Sequence, residues 1–167
     1  MLYTVYRFGS IPGKKALQKI LYFVSLNQQL FSYKWNKFGP YSEELKYMLD
    51  DAVLEDLISI KPRDLQIKGA LQFNMKLSDY GKRIAKDVRI DNEITQSVEF
   101  VYKFLSSELP REMELLASVH YIISKLNDGD EEVIHKILTR LKSEAGFNLS
   151  DVQRAKNKLL ENKIITN

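Results

Sequence analysis

Nine consecutive residues constrain this fold more than any other stretch: Lys37-Phe38-Gly39-Pro40-Tyr41-Ser42-Glu43-Glu44-Leu45. Gly-Pro halts whatever precedes it, because proline lacks an N–H and restricts the residue before it. Ser42 is then a good helix N-cap, and Glu43 and Glu44 lie where a helix start favours negative charge. Phe38 and Tyr41 flank the break and are suited to pinning it to a core. A chain of 167 residues with such a joint has room for one domain, or for two small lobes sharing a core.

The elements around the joint follow from periodicity. Ala16, Leu17, Ile20, Leu21 and Val24 make one stripe of a helix over residues 14–25, with Lys14, Lys15, Gln18 and Lys19 mostly outside it. Phe31, Tyr33 and Trp35 alternate with Ser32 and Lys34, which predicts a short strand before the Gly-Pro break. The helix opened by Ser42 runs to about Asp56, with Leu45, Met48, Leu49, Ala52 and Val53 as its apolar face. Residues 57–60 then read as a strand and 61–69 as a loop. Leu71, Phe73, Met75 and Leu77 alternate with polar residues and form a second strand with one wet face. A further helix starts at Ser78 and reaches about Val88. Leu2 to Phe8 is apolar and compatible with helix or strand, and Gly9 to Gly13 reads as a turn.

Helices followed by a β-hairpin are the layout of a winged helix-turn-helix. The exit Leu77-Ser78-Asp79-Tyr80-Gly81-Lys82 resembles the L-T-x-x-G ending of many winged helices. Beyond Asp91 the pattern is helical throughout. Ile94, Val98, Val101 and Leu105 form a heptad-like seam that can dimerise or pack on the next helix. Leu109-Pro110 breaks that helix, Arg111 to Leu126 reads as the next, Asp130 caps another to about Ser143, and Ser150 with Gln153 suggests a capping box for the last. The expectation is a mostly α protein with a small β-hairpin: a winged-helix-like domain over 1–89 and a helical lobe over 90–167. An echo between residues 52–59 and 157–165 leaves that lobe open to a trihelical, helix-turn-helix-like reading, without a wing and packed on the first domain.

Composition excludes several functions. There is no cysteine, so disulfides, thiolate metal sites and cysteine nucleophiles are ruled out. No run is long and apolar enough for a membrane span, and the first residues lack the pattern of a signal peptide, so a cytoplasmic protein is expected. The only histidines, His120 and His135, fall on different helices without spaced ligand partners, so neither metal nor other cofactor is expected. Gly13-Lys14-Lys15 lacks the spacing and the Ser/Thr of a phosphate loop. Glu43-Glu44 and Asp50-Asp51 are neighbours whose side chains diverge on a helix, which suits a solvated face rather than acid–base chemistry. No nucleophile–base arrangement stands out, and no enzyme is expected.

Two partner classes stay open. The net charge of +3 permits contact with double-stranded DNA. The helix before the wing is acidic and lacks base-reading side chains, so the contact would run through the wing and its flanks: Lys14, Lys15, Lys61, Arg63, Lys68, Lys82 and Arg83. A non-catalytic, DNA-associated regulator of transcription is the first reading. The second is an adaptor that binds a protein partner, or another copy of itself, with no nucleic acid. For it the aromatics Phe31, Tyr33, Trp35, Phe38 and Tyr41 offer a candidate exposed patch.

Three segments carry a family resemblance: Gly13-Lys14-Lys15-Ala16-Leu17-Gln18-Lys19-Ile20-Leu21-Tyr22, then Phe38 to Leu45, then Leu57-Ile58. With Glu114 to Tyr121 and the helix after Ser150, they resemble the YwgA-like family of bacterial and archaeal proteins. The L-Q-K and G-P elements are more loosely similar to the Panacea antitoxin-like domain. The resemblance implies a winged-helix-like fold and brings no catalytic residue set.

Overall fold

A computed structural model describes residues 1–63 and 72–166, with Arg63 and Gln72 described by backbone alone. Lys68 and Leu71 lie outside the described residues. In chain order the elements are α1 (Leu2–Phe8), α2 (Gly13–Val24), β1 (Lys34–Asn36), β2 (Gly39–Tyr41), α3 (Glu43–Leu54), β3 (Ile58–Arg63), β4 (Gln72–Leu77), α4 (Asp79–Asp87), α5 (Asn92–Leu105), α6 (Pro110–Leu126), α7 (Glu131–Leu141) and α8 (Leu149–Glu161). The protein is mostly helical, with two small antiparallel sheets, β1–β2 and β3–β4. They form two compact units: Met1–Tyr33 with Ser42–Ser107, and Lys34–Tyr41 with Glu108–Asn167.

In the first unit α2 is the central helix. Every residue from Ala16 to Val24 is buried, including Gln18 and Lys19, which periodicity alone places outside the stripe. Gln18 is buried because it serves the backbone of Ser42, described below. The β3–β4 hairpin pairs Ile58 with Leu77, Ile60 with Met75 and Pro62 with Phe73. The ladder thus extends β3 into residues expected as loop. Pro62 is accommodated in a two-stranded ribbon because it removes only one ladder donor. Ile11, between α1 and α2, adds a single-residue third strand: its N–H donates to the Met75 carbonyl at 2.9 Å and Met75 returns the bond at 2.8 Å. The 9–13 turn is therefore stitched to the sheet. Met75 and Leu77 are buried as their alternation predicts, but Phe73 is 43% exposed.

The hairpin exit is a tight junction. Ser78 Oγ accepts from Gly81 N–H at 2.8 Å and donates to the Asp56 carbonyl at 2.5 Å. A Cβ on Gly81 would overlap the Leu57 carbonyl. The S-x-x-G spacing thus brings the start of α4 against the end of α3.

The expected boundary at 89/90 does not coincide with the units, because α5 belongs to the first. Val98, Val101 and Leu105 are buried, so most of the heptad-like seam is core. Phe104 meets Phe23 edge-on at 5.3 Å, and Arg7 bonds Glu99 at 2.5 Å.

The second unit packs α6, α7 and α8 through Leu115, Leu116, Val119, Ile134, Leu138, Val152, Ala155 and Leu159. Leu126 and Leu141, expected on apolar faces, are about half exposed at their helix ends. Contrary to a wingless trihelical lobe, this unit includes the β1–β2 hairpin. The alternating aromatics at 31–35 overstate the strand, which covers only Lys34–Asn36. The Gly-Pro segment read as a break is itself the partner strand, pairing Trp35 with Pro40. Gly39 has φ +84°, and a Cβ there would lie 2.5 Å from Ser118 Oγ, so only glycine lets the strand approach α6 this closely. The last helix starts two residues earlier than Ser150 and Gln153 suggest. Asn148 and Asp151 make the reciprocal capping box.

Candidate interaction surface

α3 is the best-defined candidate surface. Ser42 Oγ accepts from the Leu45 N–H at 3.3 Å and caps the helix. Gln18 fixes the same residue from α2, donating to the Ser42 carbonyl and accepting from its N–H, both at 2.9 Å. Leu45, Leu49 and Ala52 form the buried face. Helical spacing turns Tyr47, Asp51 and Leu54 away from it and sets Glu44, Met48 and Glu55 along its flank, and all six are exposed. Tyr47 is 61% exposed, Met48 44% and Leu54 84%. Met48, assigned to the core face by periodicity, is thus a surface residue. It borders the narrow stripe of Leu45, Leu49 and Ala52, three residues after the first and four before the last, on the side that the core leaves uncovered.

The electrostatics of this face are one-sided. The segment from Ser42 to Asp56 carries six carboxylates and a single cation, Lys46. Lys46 Nζ lies 3.7 Å from Glu43 and 5.0 Å from the Tyr47 ring centroid. Asp50 takes an ion pair from Lys14 at 2.8 Å, and that hydrogen bond holds its carboxyl below the usual range. Glu44 accepts from the Ser32 N–H at 3.1 Å. Such a surface can bury apolar area on a partner and repels phosphate.

The basic candidates sit on separate elements. Lys14 and Lys15 are exposed near the start of α2, and Lys14 is held by Asp50. Lys82 bonds Asp79 within the first turns of α4 at 2.8 Å, lowering the Asp79 pKa, and the Arg83 guanidinium lies 5.8 Å from the Tyr80 ring centroid. Lys61 is exposed on β3. The side chain of Arg63, like all of Lys68, is outside the described residues. Strand register adds Lys76, which faces Ser59 and lies beside the Lys61–Asn74 pair. The residues surrounding Lys76 showed the alternation, but only the register placed it with Lys61.

The aromatic cluster divides between the two units. Phe31 and Tyr33 belong to the first unit, where Tyr33 packs edge-on against Tyr22 at 5.1 Å. Trp35, Phe38 and Tyr41 belong to the second, where Trp35 lies 5.7 Å from Tyr121.

The second unit also buries a charge that carries no local signal in the sequence. The Lys142 side chain is 1% exposed and pairs with Glu114 at 2.5 Å. Its Nζ lies 3.4 Å from Ser118 Oγ and 5.8 Å from the Trp35 ring centroid. His120 is buried on α6, which pushes its pKa down to about 4, so it is neutral near pH 7. Among the described residues no group of three or more His, Cys, Asp or Glu could hold a metal ion, and no helix is long and apolar enough to cross a membrane. No protein-family model matches the chain, and no curated protein is significantly similar to it.

Proposed function

We propose that this chain is a non-catalytic adaptor that receives a protein partner on the exposed face of α3. The observation that carries the reading is the exposure of Tyr47, Met48 and Leu54 among Glu44, Asp51 and Glu55 on one helix face. Large apolar side chains in a charged setting are what a binding surface presents and what a solvated face avoids. The scaffold is a winged-helix-like one of YwgA-like kind. The order α1, Ile11 strand, α2, α3, β3, β4 supports this, with Ile11 paired to the second hairpin strand. The lack of cysteine favours work in the cytoplasm.

A DNA-associated regulator is the second reading. It is favoured by one feature: Ser59, Lys61, Asn74 and Lys76 share the hairpin face opposite Ile58, Met75 and Leu77, and none is acidic. It is weakened by α3, whose carboxylates occupy the helix such a fold would present to DNA, and by the ion pairs of Lys14 and Lys82.

A photo-crosslinking residue placed at Tyr47, with Asn157 as the control position, tests the adaptor in the cells that make it. The expected result is a discrete protein adduct from position 47 alone. Equal or absent adducts at the two positions overturn it. Titration with duplex DNA at low and moderate salt tests the rival: salt-dependent binding lost in Lys61→Ala/Lys76→Ala would establish the hairpin as the functional surface instead.

A further inference from the structure

Resting on that adaptor reading, we infer that the α3 face takes a cationic, amphipathic helix of another protein. Along α3 the exposed carboxylates Glu44, Asp51 and Glu55 interleave with Tyr47, Met48 and Leu54. From Glu44 to Glu55 the helix advances about 16 Å at the usual rise. That is the footprint of roughly three turns of a partner helix rather than of a point ligand. The partner must bring apolar side chains to cover Leu54 and Tyr47, and cations to meet the carboxylates. Of the six carboxylates, Lys14 and Lys46 engage only Asp50 and Glu43. Asp51, Glu55 and Asp56 make no ion pair with a described residue, so a cation from outside completes the surface.

The same features argue against other occupants. Nucleic acid and anionic lipid present negative charge to a negative helix. A second copy meeting α3 with its own α3 across a two-fold axis sets carboxylates against carboxylates. Flexible Met48 suits a contact that adjusts to its partner.

The test uses the full chain and three labelled peptides of about five turns. The first is built of Leu and Lys with the leucines on one face. The second has the same composition with the leucines scattered, and the third replaces Lys by Glu. Binding is followed by fluorescence anisotropy. The expected result is that the amphipathic cationic peptide binds at least about tenfold more tightly than either control. Leu54→Asp and Tyr47→Ala should each weaken it by about tenfold, and a triple Glu44→Lys/Asp51→Lys/Glu55→Lys variant should shift the preference to the Glu peptide. All these positions are exposed, and circular dichroism checks that each variant is folded. Equal binding of the three peptides, or affinity indifferent to the substitutions, overturns the inference. So does a concentration-dependent dimer abolished by Leu54→Asp, which makes the face a self-interface. A protein adduct at position 47 with no peptide preference overturns the partner chemistry alone, and loss of both overturns the adaptor as well.

Discussion

Gln18 and Ser42 hold one another through two 2.9 Å hydrogen bonds, side-chain amide to backbone N–H and C=O, and both residues are buried. The bonds run to the backbone, so the Ser42 hydroxyl remains free to cap α3. The two substitutions should therefore differ. Ser42→Ala removes the cap and should cost about 1 kcal/mol. Gln18→Leu leaves two buried backbone groups unpaired and should cost roughly 2–5 kcal/mol. Urea unfolding of the two variants checks the order, and equal midpoints would show that the clasp contributes little.

Gly81 sets two opposing effects against each other. Alanine is a better helix former than glycine by about 1 kcal/mol. At Gly81 a Cβ overlaps the Leu57 carbonyl, which is backbone and cannot swing away. Steric displacement should win, and Gly81→Ala should lower stability by roughly 1–3 kcal/mol. Gly129 is the control, since a Cβ there meets only the end of the Lys156 side chain at 3.7 Å. Gly129→Ala should change stability by less than about 1 kcal/mol. Thermal unfolding of both variants decides between propensity and overlap.

His120 makes stability depend on acid. Burial holds its pKa at about 4 in the folded protein, below the unfolded value near 6.5. Between those values the unfolded chain binds the extra proton, so stability rises with pH. The contribution is fully present above about pH 6.5 and is lost as pH falls towards 4, to the extent of about 3 kcal/mol. His120→Gln should flatten the stability profile over that window. Half-buried Asp50 and exposed Asp79 also have lowered pKa values, so their pairings fade at lower pH, below the usual aspartate range. An unchanged profile in the variant would assign the acid sensitivity elsewhere.

The residues that were legible in the sequence are those whose role is local. Ser42 and Asp130 announced their caps by type and position, and the core stripe of α2 followed from spacing. What the sequence concealed depends on partners distant in the chain. Gln18 looked like a surface residue until Ser42, 24 positions away, was beside it. Gly39-Pro40 looked like a break because its ladder partner is Trp35 and its steric reason is Ser118. The α3 surface was half readable: its acidity was plain, but Met48 counted as core, and Tyr47 and Leu54 gain meaning only once Leu45, Leu49 and Ala52 define the buried side. Lys142 carried no local signal, because a lysine near a helix end is ordinarily a solvated one.

That lysine gives the sharpest test of how the β1–β2 hairpin is held in the second unit. Lys142 pairs with Glu114, approaches Ser118, and lies over both Trp35 and Phe147, with ring centroids at 5.8 and 6.0 Å. Breaking a buried ion pair from one side leaves an uncompensated charge, so Lys142→Ala should cost about 3–5 kcal/mol. Lys142→Met with Glu114→Gln removes both charges while keeping most of the volume, and should recover much of that loss. Trp35 is the only tryptophan in the chain, so intrinsic fluorescence reports on the hairpin directly. If Lys142 holds the hairpin against α6, Lys142→Ala should shift Trp35 emission to the red under conditions where circular dichroism still shows folded helices, and the double variant should restore it. Red-shifted emission in both variants would mean that the hairpin needs the charge pair itself. Unshifted emission in the alanine variant would mean that Gly39 packing on Ser118 is sufficient without it.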